Sequence, residues 1–196
     1  MRTDYIKPSV YRKIYNVMQY ENSLALRTSL ETGMRIGDVL QLKPEQLNKR
    51  TISYTAQKTG KKDKKPISAD LAKRLKQISG KEWVFEGRFG DKPRRRQTVW
   101  KDVKKACKEL HIIENVGCHS ARKTYAVTEF QEKGFPTVQK ELQHDRASTT
   151  MLYAFSNLLT NDGKMNNNTE FENEEILQIL CDISSKINQI FEKICK

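Results

Sequence analysis

One strand–turn–strand signal interrupts a chain that otherwise reads mainly as helix. Residues 51–57 (T-I-S-Y-T-A-Q) and 65–68 (K-P-I-S) are short extended runs around a T-G-K-K turn, rich in β-branched and aromatic residues. Elsewhere the apolar residues recur at helical spacing, with caps at the expected places. Ser9 is the expected cap of a helix carrying Val10, Ile14, Val17 and Met18. A helix over about 21–32 carries Leu24, Leu26 and Leu30 and stops at Gly33. A third starts near Arg35, turns Ile36, Val39, Leu40 and Leu42 inward, and ends at Pro44. Ser68 caps a helix over 69–78, and W-V-F at 83–85 reads as a short buried strand. Further helices are expected over about 97–110, from His119 to about 133, from Pro136, and over about 147–155.

The chain has 196 residues and a formal charge of +12. That length suits one ordinary domain, or one domain with an appendage. Residues 160–196 hold four Lys and seven Asp or Glu, so the positive excess, +15, belongs to residues 1–159. Such an excess implies a polyanionic partner, most simply nucleic acid. The four Cys (Cys107, Cys118, Cys181 and Cys195) are far apart and form no C-x-x-C pair. They indicate neither a zinc site nor a disulfide framework, and suit a reducing cytosol. The N-terminal M-R-T-D-Y-I-K-P has no apolar run, so no secretory signal is read there, and no stretch approaches membrane-spanning length.

The chemistry-bearing residues fall in one order along the chain. Arg35 lies in T-G-M-R-I-G-D (32–38) and Lys58 in Q-K-T-G-K-K (57–62). His119 and Arg122 lie in H-S-A-R (119–122), and His144 and Tyr153 in L-Q-H-D-R-A-S-T-T-M-L-Y (142–153). Two guanidiniums can hold both non-bridging oxygens of a phosphate, because the planar fork matches its geometry. A phenol can attack phosphorus, and a Lys or His can protonate the oxygen that leaves. His119 and Arg122 share one face of a helix start, where an anion is favoured. Each group has an ordinary alternative: Arg35 as a surface residue of an amphipathic helix, Tyr153 as packing, and Lys58 as one member of a solvated run with Lys61, Lys62, Lys64 and Lys65. Lys58 is preferred over its rival Lys61 because it is read on the strand before the turn.

The boxes T-G-M-R-I-G-D-V-L-Q-L and H-S-A-R-K-T-Y-A-V, followed by L-Q-H and Tyr153, resemble those of the tyrosine recombinases, the phage integrase family, over roughly residues 5–158. Two positions depart from the pattern: Gln143 stands where a Gly is usual, and Lys123 replaces a common second His. The resemblance implies a mainly α domain with a small antiparallel β-sheet. It implies DNA strand exchange without metal, ATP or other cofactor. Tyr153 would form a 3′-phosphotyrosyl bond, Arg35 and Arg122 would bind the phosphate, and Lys58 would protonate the leaving 5′-oxygen. His119 would share the Tyr153 proton, His144 would hydrogen-bond the phosphate, and Asp38 would orient an active-site group. Two alternatives stay open: a type IB topoisomerase, which relaxes DNA by the same chemistry, and a recombination factor that binds DNA without cutting.

The expected partner is double-stranded DNA carrying specific recombination sites, bound by a homo-oligomer, a tetrameric synapse, in the cytoplasm at the nucleoid. Arg94, Arg95 and Arg96 of the basic loop 86–97, Lys61 and Lys62 of the hairpin, and Lys101 and Lys104 of the next helix are the candidate DNA contacts. The domain plan is a catalytic unit over 1–159 with no DNA-clamping domain ahead of it, a polar linker over 160–175, and a C-terminal amphipathic helix over 176–196. In that helix Leu180, Ile187 and Ile194 take heptad position a, and Ile176, Ile183 and Ile190 take position d. The seam suits either a coiled coil or docking on a catalytic domain.

Overall fold

The structure, a computed structural model, describes residues 3–133. They form six helices and one three-stranded antiparallel sheet, the mainly α architecture with a small sheet that the resemblance implies: α1 (Pro8–Val17), α2 (Tyr20–Thr32), α3 (Ile36–Leu40), β1 (Leu47–Asn48), β2 (Thr51–Thr55), β3 (Lys62–Pro66), α4 (Ala69–Ile78), α5 (Arg96–Glu109) and α6 (Cys118–Lys133). The helices expected from Pro136 and over 147–155, the linker and the heptad helix lie outside the described residues, as do His144 and Tyr153.

α2 is the hub, in contact with α1, α3, α4, α5 and α6. Packing on several sides buries its polar residues as well as Leu24, Ala25 and Leu26. Those polar groups bond locally, because an unpaired buried hydroxyl would cost about 1–3 kcal/mol. Thr28 donates to the Leu24 carbonyl, Thr32 to that of Thr28, and Ser23 to that of Tyr20. Asn22 donates to Asp102 of α5 at 2.7 Å, tying the two helices together. α6 is fixed by Thr124, whose hydroxyl donates to the Ile6 carbonyl at 2.9 Å. The shared core includes Tyr11, Ile14, Leu26, Met34, Leu42, Ile52, Leu71 and Leu75, all fully buried; each such side chain contributes about 1.5–3 kcal/mol.

β2 pairs with β3 from Thr51↔Pro66 to Thr55↔Lys62, and with β1 at Leu47↔Ile52. Ile52 and Tyr54 point inward, alternating with outward neighbours. Lys65 is buried on β3 and pairs with Asp63, two residues away on the same face, at 3.3 Å.

Several boundaries differ from the expected ones. α1 begins at Pro8 with Lys7 as its cap, not at a Ser9 cap. Proline at the first helical position loses no hydrogen bond, and its fixed φ already suits a helix. The second strand runs over 62–66 and the first ends at Thr55, because the Ala56 amide bonds the Lys61 carbonyl and closes the turn there. Val84 and Phe85 are buried, but residues 83–85 are not a strand: the Val84 amide bonds the Leu42 carbonyl at 2.8 Å, and nearby only Glu86 and Pro93 form a bridge.

Candidate active site

Arg35 is placed by the turn that ends α2. Gly33 caps that helix in the left-handed conformation, at φ +68, which costs glycine nothing and other residues about 1 kcal/mol or more. The turn is cross-braced. Ser29 donates to the Met34 carbonyl at 2.7 Å, and the Met34 amide donates to Thr32 Oγ1 at 3.2 Å. Met34 is fully buried, so the next residue, Arg35, leaves the core as the extended cap of α3 with a partly exposed side chain.

Arg122 reaches the same turn from α6. It is only 3% exposed and donates Nη1 to the carbonyl of Gly33, two residues before Arg35. The two guanidiniums share neighbours: both act on the hydroxyl of Tyr54 and on the ring of His119. Two cations brought together beside buried backbone form a place for an anion, since an anion is what relieves their repulsion.

Asp38, one turn after Arg35, joins the hairpin to this cluster. It is 6% exposed, and its Oδ1 accepts from the Gln57 amide at 3.1 Å. The turn over 56–61 is thereby held against α3, with exposed Lys58 next to the anchored residue. Lys58 thus lies in the turn and not on the strand before it. Its backbone is held all the same, by Asp38 and by the Gly60 amide's bond to the Ala56 carbonyl at 2.8 Å. Lys61 is also exposed, and its own carbonyl closes the turn. Substitution with a sulfur-bridged substrate separates the two: Lys58→Ala should slow cleavage of ordinary DNA far more than cleavage of DNA whose 5′-bridging oxygen is sulfur, because a thiolate leaves without an acid. Rescue of Lys61→Ala instead would move the assignment by three residues.

Tyr54 is not among the candidates read from the sequence, where it falls within the T-I-S-Y-T-A-Q strand. Burial, together with the carboxylates of Asp63 and Asp38, pushes its hydroxyl up to about 12 despite Arg122 and Arg35. It is a neutral wall beside the two cations. Lys123, the other departure from the family pattern, is buried and donates to the Thr3 carbonyl, fixing the N-terminal segment on α6.

His119 is the second residue of α6 and keeps an exposed surface. Partial burial of its ring, and then the charges of Arg122, Lys123 and Arg35, push its pKa down to about 4. The imidazole is therefore neutral at pH 7, able to take or share a proton. Between the ordinary value of 6.5 and about 4, the unfolded chain holds more protons at this position than the folded protein does. Stability should fall as pH drops through that window and level off below it. His119→Gln should remove this part of the acid slope of the melting temperature; an unchanged slope would show that the ring is not depressed.

The candidate DNA contacts divide. Lys61, Lys62, Arg95, Arg96 and Lys101 are exposed. Arg94 and Lys104 are held by partners within the protein. Arg94 donates to Asn22 at 3.1 Å and faces Glu21 at 3.8 Å, and Lys104 donates to Asn115 at 2.6 Å. Arg96 lies close enough to the start of α6 to oppose the rise of the buried Cys118 thiol, which burial pushes up to about 11. Among the described residues, no group of three or more His, Cys, Asp or Glu stands together as a metal site, and no helix is long and apolar enough to cross a membrane.

Residues 4–158 match the sequence pattern of the phage integrase family. The chain belongs to that family. Among phage integrase relatives, it is 29% identical over 180 residues to the tyrosine recombinase XerD of Staphylococcus saprophyticus, with 74% of this chain and 60% of that protein covered. The fold superposes on a lambda integrase dimer bound to a COC′ core site, with TM-score 0.70 and 21% identity over 87% of this chain and 52% of that one. The catalytic domain of bacteriophage HP1 integrase is similar too, with TM-score 0.61 and 20% identity over 79% of this chain and 89% of that domain. The chain thus spans less than two thirds of the XerD and lambda integrase chains it matches.

Proposed function

We propose that this integrase-family chain is a site-specific DNA recombinase that cuts and rejoins strands through a 3′-phosphotyrosyl intermediate. The observation that carries the reading is the convergence of Arg35 and Arg122 at the Gly33 turn, with His119 beside them and the Lys58 turn tied to the same place by Asp38. A phosphodiester bound there would have each non-bridging oxygen met by a guanidinium, and the crowded transition state would gain most from that charge. Tyr153 attacks phosphorus, forms the O–P bond and expels the 5′-oxygen, which takes a proton from Lys58. His119, neutral at working pH, receives or shares the tyrosine proton, and His144 hydrogen-bonds the phosphate. The bond energy is kept in the adduct, so a second 5′-hydroxyl can reverse the step on a new partner.

Two similar structures support this reading over topoisomerase action: a XerH named as a site-specific recombinase and bound to palindromic difH substrate, and a lambda integrase tetramer bound to a Holliday junction. We place the protein at the nucleoid, acting as a homo-oligomer on paired sites, with the Ile-rich seam of residues 176–196 as the assembly element. The test is the adduct itself. A nicked duplex taken from the DNA flanking the gene should trap protein resistant to denaturant, in EDTA as well as in magnesium. An adduct that needs magnesium would overturn the mechanism, and no adduct on any such duplex would overturn the function.

A further inference from the structure

Residues 86–93 form a small closed turn that the mechanism does not use. Glu86 and Pro93 bridge its sides, the Gly87 amide donates to the Lys92 carbonyl at 2.8 Å, and the Gly90 amide donates to Gly87 at 3.2 Å. Gly90 sits at φ +77, and a Cβ on Gly87 would meet the Lys92 carbonyl oxygen at 2.8 Å. Glycine alone lets the two sides close this tightly. The base is also held, since the Arg94 amide donates to the Phe85 carbonyl at 2.7 Å and Glu86 accepts from the Lys81 amide at 2.7 Å.

This braced turn carries Phe89 at its tip, 83% exposed. A large apolar ring held out in water gains nothing for the fold, and its burial in a complex would be favourable. Its surroundings select the partner. The Arg88 guanidinium lies over the ring, 5.6 Å from its centre. Within residues 86–96, Arg88, Lys92, Arg95 and Arg96 are all exposed, against one exposed carboxylate, Asp91. Cations round an aromatic suit a polyanion that also offers flat apolar surfaces, with phosphates for the charges and base or sugar for the ring.

We propose that the turn over 86–93 is a DNA-contacting finger, with Phe89 packed on sugar or a base edge of duplex DNA and Arg88 and Lys92 on its phosphates. The proposal rests on the recombinase reading above.

The experiment measures binding of a fluorescent mixed-sequence duplex across a salt series, beside thermal melting. Phe89→Ala should weaken binding roughly 5- to 50-fold, with the salt slope unchanged because no charge is lost. Arg88→Ala should lower that slope by about one. Both variants should melt like the wild type, since neither side chain is buried. A photoreactive benzoylphenylalanine at position 89 should cross-link to DNA. Unchanged affinity of Phe89→Ala, or a cross-link to a second protein copy, would overturn the finger and leave the recombinase reading standing if the wild type still forms its adduct. A wild type that binds no duplex would overturn both.

Discussion

Tyr153→Phe should form no covalent adduct on a nicked duplex, while its affinity for that duplex stays within about twofold of wild type. The substitution removes one oxygen, the atom that makes the bond to phosphorus, and leaves the ring. The cations proposed to hold the DNA, Arg35, Arg122 and the exposed Lys of the hairpin, are untouched, and they dominate affinity. Nothing else in the proposed set can replace the lost nucleophile, because Tyr54 is buried with its hydroxyl pushed up to about 12. The loss should therefore reach the detection limit of the assay. An adduct on the Phe variant, mapped by proteolysis to another residue, would show that the nucleophile has been misassigned.

Arg122→Ala should lower the single-turnover cleavage rate by roughly 100- to 1,000-fold, the usual cost of one preorganised donor to a developing oxyanion. It should also lower stability. The side chain is 3% exposed and donates to the Gly33 carbonyl, so truncation leaves that acceptor unpaired, at a cost of about 1–3 kcal/mol. Loss of repulsion from Arg35 offsets part of this. Arg122→Lys separates the two effects: it keeps a cation in the same place but has no planar fork. It should recover melting temperature more than rate. If the Lys variant cleaves as fast as wild type, two-point phosphate recognition by Arg122 is wrong.

Local signals in the sequence were reliable where the interaction that creates the structure is itself local. Gly33 ends α2 because only a left-handed residue closes that turn, and Ser68 caps α4 through its own hydroxyl, which accepts from the Leu71 amide at 3.2 Å. The hairpin was visible as a change of period, and the helices as recurring apolar residues. The two-residue β1 was not, since two residues carry no period. Residues 83–85 show the same limit in reverse. Val84 and Phe85 are as buried as a strand would make them, but their neighbour is a carbonyl at Leu42 and not another strand.

The sequence by itself determined the family, the fold class, the basic surface and the order of the candidate groups, because these depend on residue type and spacing along one chain. Only the tertiary structure decided which charges are free and which are committed. Arg94 and Arg95 are adjacent and chemically identical, but one is bound to Asn22 and Glu21 while the other stays exposed. Arg122 and Gly33 are 89 positions apart, and only the packing of α6 on α2 joins them. Asp38 holds the turn of Lys58 through the backbone amide of Gln57, a group every residue but proline carries, so no sequence pattern could have marked it. A charge is written in the sequence, whereas its partner is chosen by the fold.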